Sequence, residues 1–194
     1  MKEINRFMKI GVYVGSFNPV HKGHIKVVKK VLKEYVDKVL IVPTLSYWDK
    51  NNLISITDRI NMLKLYETKN ILIDTKNNKC KFTYQVLRNI KQEYKDSKIY
   101  LIIGDDLLEY FDKWKNVDEI LNNYNLIVVM RNNIDESIYQ KYKNYNLIVT
   151  NKISENEISS TIVRSMVSNN NDKVLKYIDP KVYDYIKRNN LYVS

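Results

Sequence analysis

The sequence predicts an α/β fold, a doubly wound parallel sheet with C-terminal helices. Three observations carry that expectation. Short β-type runs recur along the first 150 residues, the segments between them space their apolar residues as helices do, and beyond residue 150 only helical patterns remain. Strand and helix alternate, which argues for a parallel sheet covered on both faces, with a ligand site at the carboxyl ends of the strands near the topological switch point.

The strand candidates fall at 9–14, 38–42, 70–74, 98–103, 126–130 and 146–150. Helical spacing occupies 22–35, 56–67, 83–94 and 105–122, as in Ile60, Leu63 and Leu65 with Met62. The stretch 132–146 is polar and Tyr-rich without strong periodicity, and reads as either a helix or a surface connection. Further helices are expected at 159–167, 173–177 and 180–188, the last with Asp179 as cap and Pro180 in its first turn. No repeat or low-complexity linker divides the chain, so residues 1–194 read as a single domain.

Composition narrows the function classes. With 44% hydrophobic residues in 194, one sizeable core can form. Cys80 is the lone cysteine, which forbids an internal disulfide, and two histidines argue against a closed structural zinc site. Charges at Lys2, Glu3, Arg6 and Lys9 leave no signal-peptide core, and runs such as 126–130 and 100–103 are far too short to span a bilayer. The expectation is a cytoplasmic protein without a membrane anchor. A net charge of +10 suits an anionic partner, although lysines scattered along the whole chain read mainly as a solvated basic surface.

The first strand runs directly into Gly15, Ser16, Phe17, Asn18, Pro19, Val20, His21, Lys22, Gly23 and His24, where a phosphate site is expected. Gly15 lets the backbone leave the strand tightly, Pro19 stiffens the turn and Gly23 permits close approach. His21 and His24, three apart at a helix start, share a face and meet the positive end of the helix dipole. A lone histidine in a turn more often caps or packs. Here both histidines of the chain fall within four residues, which favours an anion cradle over the ordinary reading and over a two-histidine metal site.

A second anion motif is Ile158, Ser159, Ser160, Thr161, Ile162, Val163 and Arg164. Hydroxyls in a first helical turn and an arginine three and four residues on can point at one anion, although a capped amphipathic helix with a surface arginine has the same pattern. Between the two motifs, Gly104, Asp105 and Asp106 follow the fourth strand candidate and put a carboxylate at the sheet edge, where it can accept from a ribose hydroxyl or cap a helix.

GSFNPVHKGH resembles the G-x-F-x-P-x-H-x-G-H signature of the nucleotidylyltransferase superfamily, and within it the nicotinate or nicotinamide mononucleotide adenylyltransferases. ISSTIVR is similar to the I-S-S-T-x-x-R motif that accompanies it. The resemblance covers about residues 8–190 and implies a Rossmann-like fold in which Gly15, Ser16, Phe17, His21, His24, Gly104, Asp106, Ser160, Thr161 and Arg164 bind ATP. His24, His21 and Arg164 would then be the catalytic group. IIGDDLLEYFDKW resembles the family's G-x-D and later tryptophan, implying that Trp114 stacks on the pyridine ring. VPTLSYWDKNNLISITDRINML resembles the substrate-lid stretch, with Lys50 and Arg59 approaching phosphate, but Tyr47, Trp48, Asp49 and Lys50 replace the common Pro-Pro-His-Lys. Phe82 and Thr83 resemble the aromatic-Thr pair at the nicotinate group, and Arg131 a family arginine near phosphate. General loop chemistry offers Thr83 as a helix cap and Arg131 as a surface ion pair equally well.

What the resemblance implies is joining of nicotinate mononucleotide to the AMP part of ATP, with Mg2+ carried by the triphosphate and pyrophosphate released, and with no resident metal site. Alternatives are preference for nicotinamide mononucleotide, or another enzyme of the same fold such as phosphopantetheine adenylyltransferase. A basic nucleotide or nucleic-acid binder would explain the charge but not two phosphate motifs in order, and no RNA-binding aromatic signature is present.

Overall fold

The computed structural model describes residues 7–45, 53–131, 136–153 and 158–193. The chain alternates β1 (Lys9–Gly15), α1 (Lys22–Glu34), β2 (Lys38–Pro43), α2 (Ile56–Lys64), β3 (Ile71–Ile73), α3 (Thr83–Glu93) and β4 (Lys98–Gly104). It continues through α4 (Asp105–Leu108), α5 (Val117–Asn123), β5 (Asn125–Val129), α6 (Glu136–Tyr142) and β6 (Leu147–Val149), and finishes on α7 (Ser160–Ser168) and α8 (Pro180–Arg188). The six strands pair in the order β3-β2-β1-β4-β5-β6, every pair parallel.

Alternate residues of each strand serve opposite faces. Tyr13, Val39, Ile41, Tyr100, Ile102, Ile127 and Val129 pack beneath α1, α2, α7 and α8. Ile10, Val12, Leu40, Val42, Leu101, Ile103, Leu126 and Val128 pack beneath α3, α4, α5 and α6. Val12, Leu101 and Ile127 are wholly inaccessible, and each such side chain contributes about 1.5–3 kcal/mol relative to exposure. After β3 the chain crosses back to the far side of β1, and since βαβ crossovers are right-handed, the helices change face at that point. The expected Rossmann-like doubly wound sheet with C-terminal helices is what forms, and its switch point is the seam between β1 and β4. No described helix is long and apolar enough to cross a membrane.

Two local expectations are corrected. The stretch 105–122 is not one helix: α4 ends at Leu108, a 3-10 turn covers Phe111–Lys113, and α5 begins after Asn116 takes a left-handed φ of 54°. The tighter turn lets Phe111, Ile120 and Leu121 reach the same core, and asparagine tolerates the left-handed conformation that redirects the chain. The piece expected at 173–177 is likewise a 3-10 turn, Asp172–Lys176. The ambiguous 132–146 stretch contains the short helix α6.

Asparagine also closes α7 and α8. Asn170 and Asn190 sit left-handed just past the helix ends, and the following N–H groups reach back to the Met166 and Ile186 carbonyls at 2.9 and 3.0 Å. This is the Schellman arrangement in which glycine is usual. None of the glycines of this chain has a positive φ.

Candidate active site

The carboxyl ends of β1 and β4 lie side by side, and β5 follows β4, so the segments after Gly15, Gly104 and Val129 open on one edge of the sheet. Beyond Gly15 the chain makes a turn in which Phe17, not a glycine, takes the left-handed conformation (φ 47°). Gly15 supplies space instead: a Cβ there would lie 3.2 Å from the Phe17 ring.

The turn is held by its carbonyl oxygens. Arg59 donates from one terminal nitrogen to Ser16 O at 2.6 Å and Thr44 O at 2.7 Å. Arg164 donates to Asn18 O at 2.9 Å, and the Ser160 hydroxyl to Pro19 O at 3.0 Å. The two sequence motifs, 141 residues apart in the Ser160 contact, are thus one structure. Ser159, rather than Ser160 or Thr161, caps α7 by accepting from Ile162 N at 3.2 Å, while Thr161 is exposed and takes an Arg164 N–H at 3.3 Å. The expected convergence of Ser160, Thr161 and Arg164 on one anion is modified accordingly, since Ser160 faces the first motif.

His21 is the residue before α1, and its ring stacks on that of His24, with centroids 3.7 Å apart and planes 25° apart. Gly23 makes room for this, because a Cβ there would lie 3.0 Å from the His21 ring. The His21 backbone N–H donates to His24 Nδ1 at 3.2 Å. That acceptor role leaves the proton of a neutral His24 on Nε2. Phe17 abuts the His24 ring edge at 5.0 Å between centroids. Stacked rings do not converge on a shared ligand point, and no group of three His, Cys, Asp or Glu among the described residues could hold a metal ion.

Both imidazoles are neutral near pH 7. Burial pushes the His21 pKa down to about 3, with the Arg131 charge adding to it, and His24 is held well below the ordinary range by burial, by His21 and by Arg131. In the unfolded chain each would take up a proton near pH 6.5. Between the unfolded and folded values the unfolded state therefore binds more protons, so stability falls as pH falls, by up to about 1.4 kcal/mol per pH unit per histidine. The expected result is a thermal midpoint that drops from pH 6.5 to about 5, with a flatter profile in a His21→Asn/His24→Asn double variant. Equal slopes for both proteins would refute burial of the neutral pair.

On β4's side, Gly104 occupies the cap position of α4, so neither aspartate is the cap. Asp105 is buried and accepts from Asp106 N and from Arg131 N, each at 3.0 Å, tying the β4 and β5 ends together. Asp106 is exposed, its carboxylate lying over Gly104 where a side chain would collide with it. The Arg131 guanidinium approaches the same point, and its charge acts on the buried Tyr13 hydroxyl of β1. Among the described residues it joins no carboxylate ion pair.

Arg59 requires a correction. Its side chain is fully buried and committed to two backbone carbonyls, so it braces the turn and does not offer its charge to a phosphate. Thr83 is the first residue of α3, whose cap position belongs to Phe82, and Gln85 Oε1 accepts the Lys81 and Phe82 N–H groups at 3.0 Å each. Trp114 is half-buried and tilted against Phe111 at 4.9 Å. Lys50, with the rest of 46–52, lies outside the described residues. Sequence reasoning missed Tyr13 as a neighbour of Arg131 and Asp105 as the acceptor of the Arg131 backbone N–H; a tyrosine within an otherwise aliphatic strand is a signal that could have found the first.

A parallel sheet with neutral imidazole donors, two arginines and a carboxylate at its switch point defines a nucleotide-handling protein of the Rossmann-like class. The chain matches the Cytidylyltransferase-like family over residues 12–166. A Borrelia hermsii protein named "Probable nicotinate-nucleotide adenylyltransferase" is 38% identical, over 96% of this chain and 99% of its own, and a Clostridium botulinum protein of the same name is 31% identical over 92% and 96%. The Plasmodium falciparum nicotinic acid mononucleotide adenylyltransferase complexed with NaAD superposes with a TM-score of 0.80 at 28% identity, covering 95% of this chain and 97% of that one. The chain belongs to the Cytidylyltransferase-like family and, within it, to the nicotinate-nucleotide adenylyltransferases.

Proposed function

We propose that the protein transfers the AMP part of Mg–ATP to nicotinate mononucleotide in the cytoplasm, forming deamido-NAD and pyrophosphate. The observation that carries this reading is the neutral His21–His24 stack at the head of α1, with His24 Nε2–H as donor and Arg131 beside it. An oxygen of the mononucleotide phosphate attacks the α-phosphorus in line, the bond from that phosphorus to the bridging oxygen breaks, and the electron pair leaves with pyrophosphate. No covalent enzyme intermediate is required.

The protein's part is positioning and stabilisation of charge. Neutral His24, with His21 stacked behind it, donates a hydrogen bond to the α-phosphate without adding charge at ground-state cost. The half-buried Arg164 and Arg131 supply the fixed cations, Arg164 on the pyrophosphate side. Asp106 meets a ribose hydroxyl, and Thr83, Trp114 and Lys50 belong to the mononucleotide. Magnesium enters as part of the ATP substrate. The name of the Borrelia hermsii relative and the NaAD-bound Plasmodium falciparum neighbour support nicotinate over nicotinamide.

The test is pyrophosphate release from Mg–ATP with nicotinate mononucleotide, nicotinamide mononucleotide or phosphopantetheine as acceptor. The largest kcat/KM is expected with the first. Turnover with phosphopantetheine and neither pyridine nucleotide would overturn the proposal.

A further inference from the structure

The turn after β1 is also gripped by the C-terminal segment. Asn18 is 1% exposed, and its side-chain oxygen accepts the Tyr192 hydroxyl at 2.8 Å and the Ile54 N–H at 3.5 Å. Its backbone oxygen meanwhile holds Arg164. Tyr192 reaches this position through the Asn190 turn that ends α8, and itself takes a left-handed φ of 59°. That conformation is rare for an aromatic residue and persists only where the surroundings enforce it. Here the ring packs against the core under α1, α2, α7 and α8, and burial raises the hydroxyl's pKa so that it stays a donor.

We infer that Tyr192 is a positioning residue, latching Asn18 so that the 16–19 turn keeps the orientation that adenylyl transfer requires. The inference rests on the function proposed above. The oxygens of Ser16, Asn18 and Pro19 all point toward donors of the protein. Since a trans peptide sets N–H opposite C=O, the Phe17 and Val20 N–H groups point away from those donors. Tyr192, at the shorter distance, and the Ile54 N–H hold the side chain of the residue between them. Tyr192 also keeps Arg164 in register, because the oxygen that Arg164 holds belongs to the same asparagine.

The experiment is Tyr192→Phe in the full chain, which keeps the ring and removes the hydroxyl. Amide-nitrogen relaxation dispersion at Phe17, Asn18 and Val20 is expected to rise, and kcat to fall about tenfold through misplacement of the turn. KM for the mononucleotide and the thermal midpoint are expected to stay near wild type. In an Asn18→Ala background the same change should lower kcat no further, since the latch acts through Asn18. Unchanged dispersion, unchanged kcat, or activity lost only in proportion to folded protein would overturn the inference. A wild-type protein unable to transfer AMP would sink the proposed reaction instead, and the dispersion result would still decide whether the latch orders the turn.

Discussion

His24→Ala is expected to lower kcat by about a hundred- to a thousandfold, the usual loss of about 3–4 kcal/mol when one donor aimed at developing charge is removed. His24 touches the His21 backbone, the His21 ring and Phe17, so the variant also loses an acceptor and some packing. A buried N–H without its acceptor costs about 1–3 kcal/mol, which moves the midpoint of a domain this size by several degrees. A shift of that size leaves the variant folded at assay temperature, so the loss of kcat is not a loss of folded protein. His24→Asn retains a hydrogen-bond acceptor and is expected to recover the midpoint before it recovers kcat. Steady-state kinetics beside melting curves checks both; near-normal kcat in the folded His24→Ala protein would make His24 a packing residue.

Arg59→Met should produce the largest loss of stability of any single change near the site. Removing the guanidinium relieves a desolvated charge, whose pKa burial already lowers, but it strands the part-buried Ser16 and Thr44 carbonyls. Each bond to a charged donor is worth about 1.5–3 kcal/mol, so a net loss of about 3 kcal/mol remains after the relief. Denaturant unfolding measures it directly. Were Arg59 a phosphate ligand, Arg59→Met would leave stability unchanged and raise KM, so the two roles separate cleanly.

Much of the fold was legible because parallel strands buried on both faces produce compact apolar runs between helical patterns. The break after Leu108 was not, because it depends on Phe111 turning into the core and on the left-handed Asn116. At the site, the motifs named the turn and the helix start but not their electrostatic state. The neutrality of His21 and His24 comes from burial and from Arg131, which follows β5. Arg59 read as a cation approaching phosphate, since nothing local in α2 announces that its side chain meets carbonyls 43 and 15 residues away. Gly15 read as a tight exit from the strand and Gly23 as room for close approach. Gly15, Gly23 and Gly104 clear space for Phe17, His21 and Asp106 respectively.

Transfer of the AMP part of ATP is tested most directly by following the phosphorus. Two parallel reactions would use ATP labelled at the α or the γ position, with magnesium and nicotinate mononucleotide, and separate the products. The α label is expected in the dinucleotide and the γ label in pyrophosphate. Recovery of the γ label as free phosphate together with the α label in ADP would contradict adenylyl transfer and identify hydrolysis or phosphoryl transfer instead.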